Sequence, residues 1–274
     1  MAPPDLIAIV RPPSEALARC EVTHVAREPI DIPRARSQHA TYVATLGDLG
    51  AAVTVLPPEP DLPDAAFVED VAVVFDEVAM ITNPGAASRR AEVESVAAAL
   101  VGHRSLERMQ APATLDGGDV LVIGRSVYVG RSTRTNAEGI AWLRTRLTPL
   151  GYAVSAVEVH HCLHLKSACS YLGRGLVLAN PRWVDVGVFQ DCEVIEVAAT
   201  ELRAANTFRV GDTLVMADGF PATRAVIEAR GFAVRTVDLS ELQKAEAGGS
   251  CLSLVFWSGC ANGTLGQCPP RTPA

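Results

Sequence analysis

Apolar residues in this chain come as short paired runs, not as long stretches. Two runs flank a tight turn, a polar break follows, and a helical pattern comes next. The arrangement is clear in VAVVFDEVAMITNPGAAS from Val71 and in VLVIGRSVYVGRST from Val120. Looser copies are YLGRGLVLANPR from Tyr171 and FRVGDTLVMADGFPAT from Phe208. The turns DE, GRS, GRG and GD carry the Gly or Asp that tight hairpins need.

Helical spacing follows the hairpins. In SRRAEVESVAAALVGH, Val93, Val96, Ala97 and Leu100 fall at i, i+3, i+4 and i+7, one face of a helix. Ile140, Leu143 and Leu147 repeat this in RTNAEGIAWLRTRL. Short runs such as YAVSAV (Tyr152 to Val157) and FAVRTV (Phe232 to Val237) return the chain to a strand. Each unit therefore reads strand, strand, helix, strand.

A fifth unit has to close from both ends of the chain. Its pieces are CLSLVFW from Cys251, LIAIV from Leu6, a helix around Ala35 to Leu49, and AVTVL from Ala52. Repetition on this scale signals a solenoid or a propeller, because one unit cannot bury its own apolar faces. A doubly wound α/β sheet is the alternative. Hairpins imply mixed sheets, which favours the propeller.

Composition narrows the function classes. The 274 residues are 49% apolar and 20% charged, as expected for a packed globular chain. A formal charge of −7 argues against a nucleic-acid or anionic-membrane partner. The bases are 22 Arg and two Lys, Lys166 and Lys244, scattered among acids. No cationic segment leads into an apolar run at Met1, and no apolar run approaches the roughly 18 residues of a membrane helix. The seven cysteines show no paired framework, so reduced thiols and a cytoplasmic location are expected. The expected organisation is one catalytic domain over 1–257 and a flexible Gly/Pro-rich tail over 258–274, with no firmer oligomeric reading than monomer or homodimer.

Polar clusters sit at the strand ends. PDAAFVED brings Asp64, Glu69 and Asp70, TLDGGDV brings Asp116 and Asp119, HLKS brings His164, and GGSCLSL brings Cys251. Taken singly, each has a plain reading as loop acid, turn or core thiol. At equivalent strand ends of a propeller they converge near its axis. VHHCLHLKSACS raises a rival, since His160, His161, Cys162, His164 and Cys169 resemble a zinc site. Structural zinc sites pair two knuckles, and no second one follows.

In this order, PDAAFVEDVAV, NPGAASRR, ATLDGGDVL, RTN, HLKS and SELQKAEAGGSCLSL resemble the dimethylarginine dimethylaminohydrolase family of guanidino-modifying enzymes, from about Ile7 to Phe256. The resemblance implies an α/β fold, the five-bladed α/β propeller called a pentein, acting on a small methylated arginine with no metal or organic cofactor. It implies Cys251 as nucleophile, His164 as general acid and base, and Asp116 as the carboxylate that orients the histidine. It places Asp64, Glu69 and Asp70 on the guanidinium, with Phe67 as an apolar wall. Arg89 and Arg134 are expected on the substrate α-carboxylate, and Val22 and Ala245 as further substrate contacts. Val22 is a small lid residue, and the AGGS stretch before the nucleophile suggests a more mobile loop.

Two other readings remain open at this point. An arginine deiminase shares the chemistry, but there an acid follows the catalytic His-Leu, where this chain has Lys166. A non-catalytic metal- or amino-acid-binding protein would use the same pocket. For the enzyme, acids beside Cys251 should raise its pKa, so the thiol is expected to rest protonated until a guanidinium cation binds.

Overall fold

In the computed structural model, which describes residues 5–258, the paired runs form five separate three-stranded sheets. β1 (Leu6–Val10) and β2 (Ala52–Val55) run parallel, joined by α1 (Ile32–Asp48). β3 (Ala72–Val74) and β4 (Val78–Ile81) form a hairpin. α2 (Val93–Leu100) then crosses over, and β5 (Ser105–Arg108) returns parallel to β4. β6 (Val120–Ile123), β7 (Ser126–Arg131), α3 (Ala137–Leu147) and β8 (Ala153–Glu158) repeat the pattern. A single turn, α4 (Leu165–Ala168), leads into β9 (Cys169–Gly173), β10 (Leu176–Ala179) and β11 (Glu193–Glu196). β12 (Thr207–Val210), β13 (Thr213–Ala217), α5 (Pro221–Ala229) and β14 (Ala233–Val237) make the fifth sheet. After the short α6 (Ser240–Gln243), β15 (Ser253–Trp257) pairs antiparallel with β1 and closes the ring. The chain is a five-bladed α/β propeller.

Closure runs to Ser258, whose N–H donates to the Asp5 carbonyl at 2.7 Å while the Asp5 N–H donates to Ser258 Oγ at 2.8 Å. The rest of the expected tail lies outside the described residues. No helix among the described residues is long and apolar enough to cross a membrane.

Local signals start the helices where the spacing predicts. The Asp31 carboxylate caps α1 by accepting the Arg34 N–H at 3.0 Å, and Asn136 caps α3 by accepting the Gly139 N–H at 2.8 Å. One unit departs from the expected pattern: between β10 and β11 there is no α-helix, only a 3-10 turn at Val186–Val188. The connecting PRWVDVGVFQDC carries Pro181 and Gly187 and lacks a helical apolar period, so Asp185 turns the chain by accepting the Gly187 N–H.

Packing explains why the strands are apolar on both faces. Along β4, Ala79 and Ile81 face one core cluster while Val78 and Met80 face the next. β13 divides in the same way, Leu214 and Met216 to one side and Val215 and Ala217 to the other. The cores therefore lie between blades, and each sheet needs both neighbours to remove its apolar area from water.

Candidate active site

Each blade begins with a short turn leading into its inner strand, and these turns meet at one end of the ring. Val68–Val71 precedes β3 and carries Glu69 and Asp70. Gly117–Asp119, preceded by Asp116, leads into β6. His164 stands immediately before α4, and Ser250–Leu252 carries Cys251 into β15. Val71 and Cys251 thus lie in the turns, not in the strands expected from them. Asp64, Phe67, Asp70, Arg89, Arg134, His164, Ala245 and Cys251 line one cleft. A larger cavity of about 130 Å³ adjoins it across Leu163, Glu246 and Ala247. The reactive groups converge in the smaller cleft.

Close backbone contact makes this convergence possible. A Cβ on Gly117 would lie 2.0 Å from the Glu69 carbonyl oxygen. One on Gly118 would lie 2.6 Å from His164 Nδ1 and 2.7 Å from Asp70 Oδ1. The glycine pair of TLDGGDV is therefore required by space. Gly118 N–H donates to Asp70 Oδ1 at 3.0 Å.

His164 Nε2 lies 3.0 Å from Asp116 Oδ2, and Asp116 Oδ1 accepts the Gly85 N–H at 2.9 Å. Asp119 holds the same segment, accepting the Leu165 N–H at 2.9 Å and the hydroxyls of Ser132 and Thr135. Burial works against an imidazolium at His164, but Asp70, Asp116 and Asp119 raise its pKa to about 9. Burial would raise Asp70 as well, yet His164, Arg89 and the Gly118 N–H hold it at about 2. Cys251 goes the other way. Burial, then the charges of Glu69 and Asp70, push its thiol up to about 12. Burial and the acids thus favour the protonated thiol, while the flanking carboxylates favour the cationic histidine.

The expected binding residues do not all behave alike. Glu69 turns away from the cleft, accepting from Lys166 Nζ at 2.6 Å and from Ser250 Oγ at 2.8 Å, and borders a cavity of about 280 Å³ lined by inner strands. Successive residues of a 3-10 turn point about 120° apart, so Asp70 lines the cleft while Glu69 points to Lys166 and Ser250. Val22 packs on the apolar cluster that holds Phe67 and Ala245, and its neighbour Glu21 forms the wall instead. Arg89 is buried and committed to Asp70, to Glu92 at 2.8 Å and to the carbonyls of Asp64 and Phe67. Arg134 is less engaged, its nearest acid being Asp116 at 3.8 Å. Asp64 faces the cleft and accepts the Glu21 N–H at 3.2 Å.

Sequence reasoning overlooked the groups that fasten the loops. Glu246 accepts the N–H groups of Thr23 and His24, both at 2.6 Å, and so clasps the segment over the cleft. Tyr42 OH donates to the Gly249 carbonyl at 2.9 Å. The AGGS loop is thus pinned, not slack. Nor does VHHCLHLKSACS gather into a zinc site. His160 and His161 are exposed, while Cys162 and Cys169 are buried and donate to the carbonyls of His164 and Leu165. The cysteines among the described residues, Cys251 included, are free thiols.

Comparison with known proteins places the chain in a family. The family model for eukaryotic N,N-dimethylarginine dimethylhydrolase matches residues 23–180. The N(G),N(G)-dimethylarginine dimethylaminohydrolase of Streptomyces coelicolor is 42% identical, over 92% of this chain and 97% of its own. That of Pseudomonas aeruginosa is 38% identical, over 82% of this chain and 90% of its own. A solved Pseudomonas aeruginosa structure, a cysteine-to-serine mutant complexed with citrulline, superposes with a TM-score of 0.86 at 36% identity, covering 91% of this chain and 98% of the other. The N-terminal domain of ArgZ, a cyanobacterial arginine dihydrolase, gives a TM-score of 0.81 at 20% identity over 92% of this chain and 97% of that one, which shows the shared fold. The chain is a hydrolase and belongs to the dimethylarginine dimethylaminohydrolase family.

Proposed function

We propose that the protein hydrolyses asymmetric dimethylarginine and monomethylarginine to citrulline and the methylamine, through a covalent adduct on Cys251. The observation that carries this reading is the convergence of a thiol, a carboxylate-held imidazole and buried acids on one cleft. β15 pairs with β1 to close the ring, and we take residues 1–257 as one catalytic domain in the cytoplasm.

A guanidinium is resonance-stabilised and a poor electrophile, so it has to be oriented before it reacts. Asp70 and Asp64 supply the negative charge that holds it, and Phe67 bounds it on an apolar side. Its positive charge favours the Cys251 thiolate that Glu69 and Asp70 otherwise oppose, so the thiol releases its proton to solvent as the cation binds and His164 keeps its own. The thiolate sulfur bonds to the guanidinium carbon, and the carbon–nitrogen bond to the methylated nitrogen breaks. His164 gives the departing amine its proton. The S-alkylthiouronium that remains is attacked by water, with His164 taking the water's proton. The carbon–sulfur bond then breaks to release citrulline and restore Cys251. Arg134 receives the substrate α-carboxylate, and Arg89 holds Asp70 in place.

Lys166 separates this reading from arginine deimination. Where a deiminase has an acid for the unsubstituted nitrogens, this chain has a lysine paired with Glu69. The test is citrulline release from arginine, monomethylarginine, asymmetric dimethylarginine and agmatine with a chelator present. Release from the methylated substrates is expected. Release from arginine alone, or from none, would overturn the proposal.

A further inference from the structure

The nucleophile and its histidine sit on different blades, so their relative position depends on what joins the two segments. Four of the five leading turns carry a residue already given a role or a partner above. The fifth, before β12, carries Asn206, a residue 9% exposed. Its Nδ2 donates to the Lys166 carbonyl at 2.9 Å and to Ser250 Oγ at 3.0 Å, while its Oδ1 accepts the Ser250 N–H at 3.1 Å. Lys166 lies two residues after His164, and Ser250 immediately precedes Cys251. The circuit closes through Glu69, which accepts from Ser250 Oγ at 2.8 Å and from Lys166 Nζ at 2.6 Å. Asn206 also fixes the loop sterically, since a Cβ on Gly248 would lie 2.1 Å from its Cγ. Gly248 N–H in turn reaches Cys251 Sγ at 3.4 Å.

We infer that Asn206 is a positioning residue for the reaction proposed above: it locks the Cys251 turn to the His164 segment and holds the half-buried thiol in place. It touches no reacting atom. Only an amide serves here, because the site needs two donors toward Lys166 O and Ser250 Oγ and an acceptor for the Ser250 N–H. The inference rests on Cys251 and His164 acting together, and its test has an arm that needs no substrate.

In Asn206→Ala the freed turn exposes the half-buried thiol further while misplacing it for attack. Iodoacetamide alkylation of Cys251 at pH 8 should rise about 10-fold, while Cys162 and Cys169 stay unreactive. Turnover should fall at least ~30-fold with the Kd for citrulline within about 3-fold, since misalignment affects the chemical step more than binding. Should Asn206→Ala not fold, Asn206→Leu keeps the approximate volume and adds no charge while losing both donors and the acceptor, with the same directions expected. A wild-type protein silent on methylarginines would overturn the substrate proposal and leave the alkylation arm readable. Alkylation unchanged in the variant, or Cys162 and Cys169 becoming reactive alongside Cys251, would overturn the positioning role.

Discussion

His164 is held between two carboxylates: Nε2 lies 3.0 Å from Asp116 Oδ2, and Nδ1 faces Asp70 Oδ1 at 3.7 Å. Both faces of the ring favour the imidazolium, which is why its pKa rises from 6.5 to about 9 despite burial. A raised folded-state pKa adds stability that is complete below the unfolded value and fades as pH climbs through the folded one. Thermal stability should therefore decline between about pH 6.5 and 9 in the wild type, by on the order of 3 kcal/mol, and far less in His164→Gln. Parallel stability profiles for the two proteins would show that His164 is neutral throughout.

Cys251→Ser should lose turnover by at least ~10³-fold, because a hydroxyl has no comparable anionic population and, among the described residues, no second thiol lines the cleft. Citrulline binding should survive. Cys162→Ser and Cys169→Ser should keep activity within a few-fold and lose only packing. Inactivation by either of these instead would move the nucleophile elsewhere.

Gly118→Ala tests the close packing of the acids. The added methyl would have to displace His164 Nδ1 at 2.6 Å or Asp70 Oδ1 at 2.7 Å. A loss of about 1–3 kcal/mol in stability is expected, together with a turnover loss of about 100-fold or more. Ala at Gly102, where nothing lies within 4 Å, is the control and should change neither.

The two arginines should separate cleanly. Arg134→Ala should raise KM for substrates with an α-carboxylate by about 10- to 100-fold, as loss of one charged hydrogen-bonding pair predicts, and spare agmatine. Arg89→Ala should instead destabilise the fold by about 3–5 kcal/mol, since it leaves Asp70 and Glu92 buried without their cation. Equal loss on arginine-like and agmatine-like substrates in Arg134→Ala would make that residue structural too.

The blades were legible in the sequence because hairpin turns and helical spacing are local signals. Val93, Val96, Ala97 and Leu100 fall on the buried side of α2 as their period predicts. The missing helix of the fourth blade was hidden by the repeat itself, which invites a helix where PRWVDVGVFQDC supplies none. At the site, the reactive types could be named, but the direction of a side chain leaving a 3-10 turn could not. Glu69 and Asp70 are neighbours in sequence and face different ways, Asp70 into the cleft and Glu69 towards Lys166 and Ser250. Asn206 carries no reactive group, and its only sequence signal was its place just before an inner strand.

The most direct test of the chemistry is the pH dependence of Cys251 alkylation, measured with and without a non-reactive guanidinium ligand that leaves the sulfur accessible. With the thiol pushed up to about 12 by burial, Glu69 and Asp70, the empty protein should show alkylation rising only at strongly alkaline pH. Bound cation should move that rise down by at least ~2 pH units, the scale of shift that an opposite charge in contact produces. A thiolate already formed at pH 7 in the empty protein would contradict the account and establish a resting Cys251–His164 ion pair.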